Sequence, residues 1–264
     1  MTLLSVENLV VEYGPFRAVD GVSFEIVKGS TLAVVGESGC GKSTIAKAIV
    51  RLLTPTSGRI LVDGSDIARL SGRALRPYRS RIQMVFQDPY GSLDPHLTAV
   101  DIVAEPLRLQ GIRKGEREKR AAALIDKVGL PATALHRRPA EFSGGQRQRI
   151  GIARALASGP ELLVCDEATS ALDVSVQAQV LDLLREIKRD TRLTYLFISH
   201  NLGVVREISD TIVVMSAGKI VEQGATADVL AHPTEPYTQA LRAAALDPTT
   251  MVGVKPRQVL KGVA

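Results

Sequence analysis

Gly36-Glu37-Ser38-Gly39-Cys40-Gly41-Lys42-Ser43-Thr44 is the stretch that decides the fold. It fills every fixed position of G-x-x-x-x-G-K-[ST], a phosphate-binding loop. The apolar run Thr31-Leu32-Ala33-Val34-Val35 precedes it and reads as a buried strand. Ile45 to Leu53 follow it and read as a helix. That strand–loop–helix setting is what the motif requires. The glycines let the backbone wrap phosphate oxygens, and successive N–H groups form an anion nest. The helix N-terminus adds partial positive charge. Lys42 is placed to reach the β- and γ-phosphates of a nucleotide, and the Ser43 hydroxyl to ligate Mg²⁺.

Working outward, Leu3–Val11 and Val19–Val27 are strand-like around a turn at Gly14-Pro15, an antiparallel flap ahead of the loop strand. Thr54-Pro55-Thr56-Ser57-Gly58 reads as a stop after the loop helix. Arg81–Phe86 is a further strand ending at Gln87. From about Asp94 to Ala157 the pattern turns helical, with segments near Ala99–Gln110, Glu116–Val128 and Gly144–Ala157 punctuated by Pro131 and Pro139. This reads as a helical subdomain, about 94–157, inserted in an α/β core. The core resumes at Glu161–Glu167, whose unbroken apolar run fits a central parallel strand buried on both faces. Val176, Val180, Leu183, Leu184 and Ile187 recur at helical spacing. Thr194–Ser199 is another strand, and Thr211–Ser216 with Lys219–Glu222 reads as a hairpin. Alternating strands and helices predict an α/β fold with a mostly parallel sheet. The tail from His232 is rich in proline, and its last residues are expected to be poorly ordered.

The chain has 264 residues, 45% of them apolar, enough to bury a sizeable core. The net charge of +5 is compatible with anionic partners, but no dense basic run with interleaved aromatics points to nucleic acid. Arg113–Arg120 mixes both signs and reads as a solvated helix face. The two cysteines, Cys40 and Cys165, exclude a disulfide framework and lack metal-ligand spacing. That fits a reducing compartment. No apolar run reaches the ~18 residues needed to span a bilayer, so the chain is not expected to cross one by itself. Cys40 admits two readings. Exposed beside Lys42 it would be a reactive thiolate; otherwise it is a small residue tolerated in the loop.

Two further constellations carry chemistry. The apolar strand ending in Asp166-Glu167 puts two carboxylates at the carboxyl edge of the sheet, where ligands of open α/β sheets bind. Asp166 suits Mg²⁺, and Glu167 suits a general base acting on water. Phe142-Ser143-Gly144-Gly145-Gln146 opens a helix, with Ser143 as a good N-cap and two glycines that let backbone N–H groups approach an anion. The sequence thus holds two phosphate-ready helix starts. If the second lies on a separate subdomain, one chain can hardly wrap both around one nucleotide. A pair of chains can.

The phosphate loop, Gln87, Ser143-Gly144-Gly145-Gln146, Asp166-Glu167, Ser170-Ala171-Leu172-Asp173 and His200 occur in the order seen in ATP-binding-cassette (ABC) ATPases. The resemblance covers roughly residues 3–245. It implies a P-loop NTPase fold of the ABC nucleotide-binding type, α/β, with an N-terminal antiparallel β-subdomain and the inserted helical subdomain. By that likeness the nucleotide-binding domain is 1–232, and 233–264 is a C-terminal extension. The likeness implies ATP and Mg²⁺, with Gly36, Glu37, Ser38, Gly39, Cys40, Gly41, Lys42, Ser43 and Thr44 around the phosphates and Tyr13 stacked on adenine. Ser43, Gln87 and Asp166 would serve the metal. Glu167, His200 and Gln87 would serve catalysis. Ser143, Gly144, Gly145 and Gln146 would bind the γ-phosphate across a head-to-tail dimer, and Asp173 would link the two sites. The leucine usual before Ser-Gly-Gly-Gln is Phe142 here.

Gln87–Pro95, Ala168–Val180 and the tail His232-Pro233-Thr234-Glu235-Pro236-Tyr237-Thr238-Gln239-Ala240-Leu241 resemble oligopeptide and dipeptide importer ATPases, a group that includes nickel and glutathione importers. No cysteine-rich tail is present, which removes any expectation of an iron–sulfur cluster. The resemblance implies a bacterial importer ATPase for peptides or similar small solutes. It would sit at the cytoplasmic face of the inner membrane, peripherally. Its partners would be a second, paralogous cassette chain in a heterodimer (a homodimer is possible in isolation), two transmembrane permease subunits and, indirectly, an extracytoplasmic solute-binding protein. No nucleic acid is implied. The alternatives are a soluble cassette acting on ribosomes or DNA, a phosphoryl-transfer kinase and a non-hydrolysing regulatory cassette. One cassette without a long insertion, the Ser-Gly-Gly-Gln motif and a full set of catalytic positions weigh against them in turn.

Overall fold

The structure, a computed structural model, describes residues 1–170 and 172–246. Ala171 and the part of the tail beyond Leu246, with the expected poor order of its end, lie outside the described residues. The described residues divide into two compact units, 1–70 together with 196–246, and 71–195.

In the first unit β1 (Thr2–Tyr13) and β2 (Phe16–Val27) form an antiparallel hairpin, with Tyr13 opposite Phe16 across the Gly14-Pro15 turn. Both strands alternate buried and exposed residues, the period of a half-buried sheet. β3 (Thr31–Val35) is buried at every position and leads into the phosphate loop. α1 (Lys42–Ile49) begins inside the motif, so Lys42, Ser43 and Thr44 form its first turn. The sequence places that helix at Ile45–Leu53. It ends earlier because Arg51 adopts a left-handed φ of 58°, which stops the helix before Leu52 and Leu53.

β4 (Ser57–Val62) and β5 (Ser65–Asp66) complete a four-stranded antiparallel sheet in the order β2-β1-β4-β5. Sequence reading misses both strands. Gly58 sits at φ 90° where an added Cβ would lie 2.4 Å from the Asn8 carbonyl oxygen. The glycine that looks like a loop signal is there to let β4 approach β1 closely.

The second unit opens with α2 (Gly72–Arg81), also absent from the sequence reading, and β6 (Ile82–Val85). Helices α3 (Ala99–Leu109), α4 (Lys114–Lys127) and α5 (Gly144–Ala157) follow, close to their expected bounds. The mixed-charge stretch lies on α4, where Arg120 pairs with Glu116 one turn away at 2.7 Å. β7 (Leu162–Asp166) is buried throughout and runs parallel to β6, with Val85 opposite Cys165. α6 (Val174–Thr191) buries Val180, Leu181, Leu183, Leu184 and Ile187. β8 (Thr194–Ile198) carries the chain from this unit back to the first.

There α7 (Leu202–Ile208), β9 (Thr211–Ser216), β10 (Lys219–Ala225), α8 (Thr226–Ala231) and α9 (Pro236–Leu246) complete the first unit. β9 runs parallel to β3, with Val35 opposite Val214, and antiparallel to β10. Ala33 and Val35 of β3 share a core with Val205, Ile212, Val214, Val229 and Tyr237. Each valine and isoleucine of this core contributes about 1.5–3 kcal/mol on burial. That core fixes the strand from which the phosphate loop departs.

Candidate functional site: a phosphate loop and a carboxylate pair

Within the first unit the loop Gly36–Thr44 rises from the buried end of β3. Gly36 has φ 149° and Gly41 φ 106°. An added Cβ at Gly36 would lie 2.3 Å from the Met215 carbonyl oxygen, and one at Gly41 2.4 Å from that of Ala18. Only glycine permits this wrap, so the cradle is a property of backbone packing rather than of local flexibility. No side chain caps the N-terminus of α1, whose N-cap is Gly41. A nest of this kind is suited to an anion.

Lys42 is only 4% exposed. Its ammonium donates to the carbonyl oxygens of Gly36 at 2.8 Å and Glu37 at 2.7 Å, and touches the Cys40 sulfur at 3.8 Å. A buried charge needs such partners. The loop thus holds its cation in place by its own carbonyls. Tyr13, half exposed, ends β1, and His200 is exposed just beyond β8.

Cys40 resolves against the reactive reading. It is buried, and burial pushes its thiol up from the ordinary value, with Lys42 acting in the opposite sense and losing. The condition for a thiolate, exposure beside Lys42, is not met. Cys165, deep in β7, is pushed up more strongly by burial and then by the adjacent Asp166.

Within the second unit β7 delivers a buried Asp166, and Glu167 follows it. Glu167 has φ 47°, in the left-handed region that a side chain with a Cβ rarely adopts. Such conformations cost about 1–3 kcal/mol and cluster at functional sites. The Ser170 N–H and hydroxyl both donate to the Glu167 carbonyl oxygen at 3.0 Å and hold the turn. The Gln87 amide donates to the Glu167 carboxylate at 3.2 Å. The structure therefore brings together two residues 80 apart in sequence, a carboxylate and an amide able to orient a water.

Ser143 caps α5 as expected. Its hydroxyl accepts from the Gln146 N–H at 3.3 Å, and the Gln146 side chain accepts from the Ser143 N–H at 3.0 Å, a reciprocal capping box. Asp173 caps α6 by accepting from the Val176 N–H at 2.9 Å. That bond, and then the Ser175 hydroxyl, hold its carboxyl below the usual range. The two helix starts meet: a Cβ on Gly145 would lie 2.3 Å from Cγ1 of Val176. Sequence reading has no signal for this contact. Nor does it find Arg147, 6% exposed, whose guanidinium lies 3.7 Å from the ring centre of Tyr90 and donates to the Pro139 carbonyl oxygen at 2.6 Å. Arg147 ties the chain that enters Ser143–Gln146 to the segment after Gln87.

The ABC transporter family pattern matches residues 19–170, more than half of the chain and the whole span from phosphate loop to carboxylate pair. The chain belongs to the ABC transporter family. This ABC transporter chain is 51% identical over 255 residues to the probable peptide ABC transporter ATP-binding protein y4tS of Sinorhizobium fredii, covering 92% of this chain and 72% of that protein. It is 52% identical over 230 residues to the oligopeptide transport ATP-binding protein AppF of Bacillus subtilis, covering 86% and 70%. Its fold matches the dimeric post-hydrolysis state of the ATP-binding cassette MJ0796 bound to ADP and Pi. The TM-score is 0.77 and the identity 29%, over 84% of this chain and 98% of that one. The expected P-loop cassette fold of an ABC ATPase is therefore the observed one. Among the described residues no helix is long and apolar enough to cross a membrane.

Proposed function

We propose that this chain is the ATP-hydrolysing subunit of a bacterial importer for peptides or similar small solutes, working in a head-to-tail pair of cassettes. The observation that carries the ATPase reading is the Gln87–Glu167 contact at 3.2 Å, made by a glutamate held at positive φ past an apolar strand. The names of relatives about half identical to it support peptide uptake.

In this reading residues 1–232 are the nucleotide-binding domain and 233–264 a C-terminal extension. Gly36, Glu37, Ser38, Gly39, Cys40, Gly41, Lys42, Ser43 and Thr44 cradle the phosphates, and Tyr13 stacks on adenine. Lys42 exchanges its loop carbonyls for phosphate oxygens, which bear more charge. The hydroxyl of Ser43, the carboxylate of Asp166 and the amide oxygen of Gln87 are hard donors of the kind Mg²⁺ takes, and they would hold it. Bound there, the ion neutralises charge on the phosphates. Glu167 takes a proton from the attacking water, Gln87 orients that water, and His200 contacts the γ-phosphate. Ser143, Gly144, Gly145 and Gln146 close on the γ-phosphate held by the other chain, and Asp173 links the two sites.

The partners are a paralogous cassette chain, two permease subunits and, outside, a solute-binding protein. The location is the cytoplasmic face of the inner membrane. The test is Glu167→Gln. It should bind ATP as the parent does and lose at least about a hundredfold in hydrolysis, the usual contribution of a general base. Parental turnover would remove Glu167 from this role. Affinity isolation of that variant from its native cells with ATP and Mg²⁺ should bring down two membrane subunits and a second cassette. Recovery of ribosomal or DNA-bound partners alone would overturn the transport assignment and leave the ATPase chemistry standing.

A further inference from the structure

The tail motif His232–Leu241 has no part in the chemistry above, yet it reaches the phosphate loop. Pro236 opens α9, where its fixed φ suits a first helical position. The approach to α9 is pinned by Glu222 of β10. Its carboxylate accepts from the N–H and the hydroxyl of Thr234, both at 2.8 Å. Gln239 donates to the Pro233 carbonyl oxygen at 3.0 Å, and Leu241 packs against the core around Val35 and Val214. The bonds at Thr234 and Gln239 hold the start of α9 and so the position of Tyr237, one turn before Leu241. Its ring is 6% exposed and lies in that core, and its hydroxyl oxygen accepts from the Glu37 N–H at 3.0 Å.

Glu37 is also one of the two residues whose carbonyl oxygens hold the Lys42 ammonium, at 2.7 Å, and it accepts from the Cys40 N–H at 3.3 Å. One residue of the loop is thus fixed on its N–H side by Tyr237 and on its C=O side by the cation and the loop backbone. We infer that Tyr237 is a positioning residue of the phosphate loop. Through Glu37 it sets the loop shape in which Lys42 is presented, and the C-terminal extension serves nucleotide binding by this contact. Tyr237 acts through Glu37 and does not itself touch nucleotide. The inference rests on the reading of Gly36–Thr44 as the ATP site.

The experiment uses the full chain and ATP as the probe. Tyr237→Phe keeps the buried ring and removes only the hydroxyl. Loss of one hydrogen bond of ordinary net strength from the loop should weaken ATP binding about fivefold, read by calorimetry. KM for ATP should rise by a similar factor with kcat unchanged, since the contact is made before and during the reaction alike. Leu241→Ala is the control for helix packing. It should lower the melting temperature of the nucleotide-free chain while ATP affinity stays at the parental value. A Tyr237→Phe variant that binds ATP as tightly as the parent overturns the inference. So does one that loses affinity no more than Leu241→Ala does. A parent chain that fails to bind ATP would instead sink the ATP-site reading, so the two failures are distinguishable.

Discussion

Gly145→Ala should be a steric lesion with one identifiable partner. Gly145 is the second residue of α5 and carries no positive φ, so alanine meets no backbone strain there and gains helix propensity. What it meets is Val176: the new Cβ would lie 2.3 Å from Cγ1 and 3.6 Å from Cβ of that residue. Valine has one stiff χ1, so it cannot swing its methyl aside without leaving its rotamer or moving α6. Overpacking of this sort costs about 1–3 kcal/mol. For a chain of this size each kcal/mol is worth roughly 2–4 °C in melting temperature, so a mid-range cost of about 2 kcal/mol should make Gly145→Ala melt about 4–8 °C below the parent. Val176→Ala removes the clashing methyl, and the double variant should recover most of the loss. The assay is a double-mutant cycle by thermal unfolding, with a coupling of at least about 1 kcal/mol expected between the two sites. Gly144→Ala is the internal comparison. Its Cβ would sit 3.7 Å from Leu172, an ordinary contact, and it should melt within about 2 °C of the parent. Simple additivity of Gly145→Ala and Val176→Ala, or like behaviour of the two glycine variants, would rule out the Val176 clash.

Two other outcomes follow from the geometry. Asp173→Ala removes the cap of α6 and should lower the melting temperature by roughly 3 °C at neutral pH. Because the Asp173 carboxyl is held below its ordinary value of 3.8, its contribution is present above that pH and fades as the pH falls through the native value. Parent and variant should therefore converge in acid, and a gap that persists there counts against the cap. A thiol reagent added to the native chain should leave Cys40 and Cys165 unmodified over minutes, and both should react once the chain is unfolded. Both thiols are buried and both are pushed up by burial. Rapid stoichiometric labelling of Cys40 in the native state would restore the reactive reading.

Features that depend only on neighbours along the chain are legible in the sequence. The phosphate loop, the cap at Ser143 with Gln146 three residues on, and the fully apolar strand before Asp166-Glu167 are local patterns with local causes. The structure has the buried strand before the loop, the capped helix start at Ser143 and the buried strand before Glu167 at those positions. Gly58 shows the limit. In sequence it ends an element, whereas packed against Asn8 it admits β4 to the sheet.

The remaining features need the packed fold, because the atoms that meet come from residues far apart in the chain. Burial, not the company of Lys42, set the state of Cys40. The opposing face of α6 leaves no room for a Cβ at Gly145 and leaves room for one at Gly144. The amide of Gln87 found the carboxylate of Glu167 only when β6 and β7 ran side by side. The hydroxyl of Tyr237 reached a loop residue 200 positions earlier because one core, built on β3 and β9, holds both α9 and the base of the loop. A linear pattern records which groups are available. Only the packed core determines which of them meet, and with what loss of solvent.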